Sequence, residues 1–207
     1  VKDVDLILSV SEVLPWLKLK AKDVDNALRI KINQAIEDVL KLATVSFAYN
    51  LDVDLEVFEF KIYRPPFPLE RLSLGCATLG EEIDAMFDFY SKKGQEHYRL
   101  LLESSANALV EKVVDFVNFV FCSSRGDDEK QSFRKSPGIG RVPIVENLTI
   151  SDYLYLSHIG VKVNSNYSLY PKKTVIFFLE WADNSVEYHE FARRCNHCGY
   201  SPCIYRI

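Results

Sequence analysis

The sequence has no uninterrupted apolar run near the roughly 20 residues that a membrane helix needs. It has no excess of positive charge either: 25 Lys and Arg stand against 29 Asp and Glu, for a net charge of -4 and a pI near 5.6. A general attraction to the phosphates of nucleic acid is therefore not expected. A secretory pattern is missing as well, since Lys2, Asp3 and Asp5 open the chain, and a cytosolic (cytoplasmic) protein with no membrane partner is expected. Hydrolase signatures such as G-x-S-x-G and H-E-x-x-H do not occur, and none of the four histidines pairs locally with a serine as base and nucleophile. Five cysteines is an odd number, and three of them cluster at Cys195, Cys198 and Cys203, which fits a secreted disulfide framework poorly.

What is present is an ordinary soluble composition, 48% apolar and 26% charged over 207 residues. That length can bury a core without disulfide staples, and residues 1–207 are read as a single domain. Val24, Leu28, Ile32, Ile36, Val39 and Leu40 recur at helical spacing, which predicts an amphipathic helix from Asp23 to Lys41 with Asp23 as N-cap. From Val53 to Tyr63 a two-residue period with one phase slip predicts a bulged strand, and the prolines of 64–68 predict the connection after it. Leu72 to Ala77 reads as a buried strand leading to a helix start, where Thr78 and Glu81 are spaced to cap one another.

A long helix is expected from Gln95 to Phe121, because Leu101, Ala108, Val113, Val117 and Val120 return to one side. The small residues 104–108 in its middle allow close approach of a backbone or a ligand, and tight packing alone also accounts for them. Residues 123–141 read as a long polar loop, 148–156 as a short helix, and 161–163 and 174–181 as strands. Strands and helices do not alternate regularly, so the expected class is mixed α+β with a largely antiparallel sheet.

Three groups of residues could carry chemistry. The loop segment from Arg134 through Pro137, Gly138, Ile139 and Gly140 joins a permanent cation to glycines that let backbone amides approach a carboxylate or phosphate. A Pro-Gly turn with a solvated arginine is the alternative. Cys195, Cys198 and Cys203 have C-x2-C-x4-C spacing, which suits zinc if His197 or another ligand completes the set, or an iron-sulfur cluster with one open iron. Three reduced thiols are the alternative there. Glu111 and Asp115 lie four apart and share a helix face, and spacing alone reads them as a solvated acidic surface.

Taken together, residues 134–140 and 159–174, the latter with Gly160, Lys162, Tyr170 and Pro171, resemble the activation (reactivation) domain of cobalamin-dependent methionine synthase. In that family an arginine and three intervening residues are followed by Gly-Tyr, and further on by a Gly-hydrophobic-Lys-hydrophobic-Thr segment and an aromatic-Pro pair before a core strand. Ile139 stands in place of the family tyrosine. Glu111 and Asp115 fall where the family has two glutamates, and the cysteine run followed by Tyr205 and Arg206 is similar to free-standing bacterial relatives.

The resemblance implies a C-shaped antiparallel sheet flanked by helices, with S-adenosylmethionine bound in a groove and presented to a corrinoid. The implied task is reductive methylation of cob(II)alamin, with Arg134 on the methionine carboxylate, Gly138 allowing the loop to close, and Glu111 facing the ammonium group. The cobalamin would be held by a partner, a methionine synthase lacking its own activation domain, with flavodoxin or ferredoxin as electron donor. No corrinoid, homocysteine or folate module fits beside such a domain in 207 residues, so a component of a methyltransferase system is expected rather than a complete enzyme. The competing reading is a corrinoid-protein reductive activator whose three-cysteine metal site carries the electron.

Overall fold

The computed structural model describes residues 7–124 and 129–183. In chain order the elements are α1 (Val10–Leu17), a 3-10 turn (Ala21–Asp23), α2 (Asn26–Leu42), β1 (Ser46–Asn50), β2 (Arg71–Thr78), α3 (Glu82–Lys92) and α4 (Glu96–Ser123). They are followed by β3 (Glu129–Gln131), α5 (Glu146–Tyr153), a second 3-10 turn (Leu156–Ile159), β4 (Lys162–Val163), β5 (Leu169–Tyr170) and β6 (Thr174–Asp183). The main sheet has the order β1-β2-β6-β3, β4 and β5 form a small separate pair, and every pairing is antiparallel. The mixed α+β class expected from the sequence is the class observed.

The central pair runs in register from Arg71 opposite Trp181 to Thr78 opposite Thr174. Because side chains alternate along a strand, Ala77, Phe177, Leu179 and Trp181 face α1 to α4, while Leu72, Leu74, Cys76, Ile176 and Phe178 face the opposite way. Gly75 sits opposite Phe177, and a Cβ there would lie 2.6 Å from the ring, so only glycine lets that ring lie over β2. On the helical side α4 buries Leu102, Leu109, Val114, Val117 and Phe121, and its small residues Ser104, Ser105 and Ala106 are buried with them. Packing thus accounts for the small-residue stretch. No helix among the described residues is long and apolar enough to cross a membrane.

Four local expectations are corrected. The cap of α2 is Asp25, which accepts from Leu28 N at 2.7 Å, because Val24 is extended and separates Asp23 in its 3-10 turn from the helix. Thr78 and Glu81 do not cap one another: the Thr78 hydroxyl turns across the sheet to Thr174, 2.8 Å away. Residues 53–63 are not a strand, since their amide donors are used elsewhere, as described below, and Leu55, Val57 and Ile62 are exposed. Within the expected loop of 123–141, β3 pairs with β6 from Glu129 opposite Asp183 to Gln131 opposite Trp181. The strand β1, which no expectation anticipated, forms one edge of the sheet.

Candidate functional site

The opposite edge builds the site. Beyond β3 the chain keeps to β6: Ser132 N donates to Glu180 O at 2.8 Å, and Lys135 exchanges backbone hydrogen bonds with Phe178 at 3.0 and 2.9 Å. Two consecutive residues on such an edge project to opposite faces. Arg134 reaches the helical side, where Nη2 donates to Glu111 Oε2 at 2.6 Å and Nη1 to Asp115 Oδ1 at 3.3 Å. Its guanidinium also stands 5.9 Å from the centre of the Phe177 ring. Lys135 reaches the other side, where Nζ donates to Glu180 Oε2 and, at 3.0 Å, to the Tyr63 hydroxyl. That hydroxyl in turn donates to Glu180 Oε1 at 2.7 Å.

The helix spacing that aligned Glu111 and Asp115 therefore turns both toward one cation, although Asp115 also stays open to solvent. Glu111 is only 15% exposed at its side chain and Arg134 19%, so their bond is partly desolvated and stronger than a surface pair. Asp115 is exposed, yet the protein packed around it costs its charged form some solvent and raises its carboxyl above the usual aspartate range. Arg134 opposes that rise and Glu111 adds to it.

After Lys135 the chain turns tightly. Gly138 N donates to Val142 O at 2.8 Å, Ile139 N to Ser136 O at 3.1 Å, and Gly138 has φ of 83°, a conformation that favours glycine. This turn forms one wall of a groove of ≈ 590 Å³, and residues 62–66 form the other. Arg134, Lys135, Gly140 and Arg141 line it on one side, Tyr63 and Arg64 on the other, with Ile139 projecting 69% exposed.

The second wall has no regular structure, and buried carboxylates hold it, Glu146 foremost. Glu146, fully buried at the start of α5, accepts backbone N–H groups from Lys61 at 2.9 Å, Ile62 at 2.6 Å and Tyr63 at 2.7 Å. These donors would otherwise seek a strand partner. Glu180, fully buried on β6, fixes the same wall through Tyr63 and the first wall through Lys135.

The structure thus brings Arg134, Glu111 and Asp115 together and sets Gly138 in the adjoining turn. Glu146, Glu180, Tyr63 and Lys135 were not assigned roles from the sequence. Glu180 did leave a signal, because an acid inside the apolar run 175–182 requires a buried partner. Cys195, Cys198, Cys203 and His197 lie outside the described residues. Among the described residues the Cys76 thiol is buried, the Cys122 thiol donates to Gln131 Oε1 at 3.0 Å, and no group of three or more His, Cys, Asp or Glu could hold a metal ion.

A mixed α+β fold emerges, in which an antiparallel sheet carries α1 to α4 on one face, the short α5 on the other and a groove at its edge. No family model and no curated protein matches the chain. Among solved structures the chain is similar to the crystal structure of the MetH reactivation domain bound to AdoHcy, with a TM-score of 0.54 and 13% identity. The match covers 84% of this chain and 74% of that one. At this identity the likeness establishes the fold, which is that of the MetH reactivation domain.

Proposed function

We propose that this chain is an accessory reactivation subunit that acts in trans on a cobalamin-dependent methionine synthase, binding S-adenosylmethionine in the edge groove and presenting it to a corrinoid on that partner. The observation that carries the reading is a coincidence of fold and motif: residues of the Arg134–Gly140 segment line the groove, on a fold shared with a reactivation domain solved with AdoHcy.

Arg134 and Ile139 in the groove lining, with Glu111 and Gly138 beside it, would suit such a ligand. A guanidinium has five N–H donors and can serve more than one oxyanion, so Arg134 would hold the methionine carboxylate while still paired to Glu111. Glu111 would then stand beside the ammonium group, with its own orientation fixed by the arginine. Gly138 lets the turn close without the dihedral strain a side chain would add at φ of 83°. Ile62 and Ile139 would exclude water from the mouth. When bound, S-adenosylmethionine supplies the methyl group for reductive methylation of cob(II)alamin, with the electron coming from a donor such as flavodoxin or ferredoxin.

In this reading the chain works as one domain and as a component of the methyltransferase system. The test uses a methionine synthase lacking its own reactivation domain and poised as cob(II)alamin. Adding this chain, S-adenosylmethionine and a reductant is expected to bleach the cob(II)alamin spectrum and restore turnover. The reading fails if turnover returns equally without the chain, or does not return with it.

A further inference from the structure

The two edges of the main sheet are finished differently. β3 carries Glu129 and Lys130, and charged side chains of this kind ordinarily keep a strand edge from pairing with another chain. β1 has no such guard: Ser46–Asn50 reads Ser-Phe-Ala-Tyr-Asn, with no charge, no proline and no bulge in its register with β2. Among the described residues its backbone bonds only to β2, so alternate residues along it point their N–H and C=O groups outward with no protein partner. The side chains beside this edge are aromatic. Tyr49 is 43% exposed and stacks on Phe47 with ring centres 6.2 Å apart, and Phe47 meets Phe116 of α4 at 5.8 Å. Three residues further along the same side of α4, Phe119 is 66% exposed.

A second copy of the strand suits this edge, because Ser46–Asn50 is complementary to itself. Laid antiparallel about a two-fold axis at Ala48, Phe47 of one copy stands opposite Tyr49 of the other, which gives an aromatic cross-strand pair on each side of the axis. The ends of the strand are complementary in charge as well. Lys41 closes α2 just before β1, while Asp52, Asp54 and Glu56 follow it, and that end stays net negative even with Arg71 beside Asp52 at 3.9 Å. Antiparallel pairing brings the basic end of each copy to the acidic end of the other. Parallel pairing would set like charges together.

We infer that β1 is the interface of a homodimer, in which the outer edges of two copies pair antiparallel about Ala48 and join two four-stranded sheets into one continuous sheet. This pairing is independent of the proposed function. β1 and the groove lie at opposite edges of the sheet, so a dimer of this kind leaves both grooves open.

Sedimentation of the full chain across a range of concentrations tests the dimer. The parent is expected to pass from a 23.8 kDa monomer to twice that mass as concentration rises, with slower hydrogen exchange at the outward amides of residues 46–50 in the dimer than in the monomer. Tyr49→Lys places a charge in each aromatic pair and is expected to stay monomeric where the parent is dimeric. Lys41→Glu alone should weaken the dimer, and Lys41→Glu with Asp52→Lys, which reverses both ends, should restore it. A parent that stays monomeric at every concentration overturns the interface. So does a Tyr49→Lys dimer as strong as the parent's, or a parent dimer in which exchange at residues 46–50 does not change with concentration.

Discussion

The two faces of the central sheet are held by different physics. Toward the helices, α4 and its neighbours close an apolar layer in which Leu102, Leu109, Val117, Phe121, Phe177 and Trp181 are almost wholly removed from water. On the other face α5 and the β4–β5 pair cover part of the sheet, but residues 53–63, which complete the cover, are irregular, and two buried carboxylates hold them. Glu146 satisfies three successive amides of residues 61–63, and Glu180 joins Tyr63 to Lys135. The contrast shows how a groove wall can be held without regular elements: Glu146 stands where the backbone has donors to spare, and Glu180 where two side chains do. The helical face supplies stability, while the irregular face supplies shape.

That contrast can be broken by mutation. Leu109→Ala removes a fully buried side chain from the helical layer and should cost about 2–5 kcal/mol in urea unfolding. Ligand affinity of the protein that remains folded should stay near that of the parent. A large loss of affinity would show that the two faces are not separable.

Glu146→Ala removes the acceptor of three amides and should cost about 3 kcal/mol, because unsatisfied donors lose their full desolvation energy. Here the groove should suffer too, with faster hydrogen exchange at Lys61, Ile62 and Tyr63 as the direct readout. Unfolding within about 0.5 kcal/mol of the parent, with exchange unchanged, would mean that water replaces the carboxylate and that the comparison is mistaken.

The same division decided what the sequence disclosed. The helical face was legible because its signals are local: the returns of Leu101, Ala108, Val113 and Val117 lie within one helix, and α4 runs from Glu96 to Ser123, close to the expected span. The strand β6 was legible from its β-branched and aromatic run. Residues 53–63 carry the alternation of a strand, and Val53, Phe58, Phe60 and Tyr63 are indeed buried. Their backbone nevertheless takes another course. Asp54 starts a turn by accepting Glu56 N at 2.9 Å on its side chain and Phe58 N at 2.8 Å on its carbonyl, and Glu146 takes the later amides from more than eighty residues away. No local pattern encodes so distant a partner.

The candidate site was legible in part for the same reason. Arg134 and Gly138 lie in one short motif that composition singles out, whereas Glu111 and Asp115 share a helix face that spacing alone reads as a solvated surface and that only the family resemblance ties to the loop. Their meeting across the sheet edge could not be read, because it depends on the strand pairing that carries residues 132–135 along β6. Lys135 shows the limit well. It is adjacent to Arg134 in sequence, yet alternation sends it to the opposite side and to Glu180.

The central claim is that the edge groove is a ligand site built on Arg134, and calorimetry with S-adenosylmethionine tests it most directly. The parent is expected to bind, and Arg134→Ala to lose roughly 1.5–3 kcal/mol of that binding, the size of a charge-assisted hydrogen bond in a partly desolvated groove. Equal affinity in the parent and the variant, or no binding by the parent, would contradict the account.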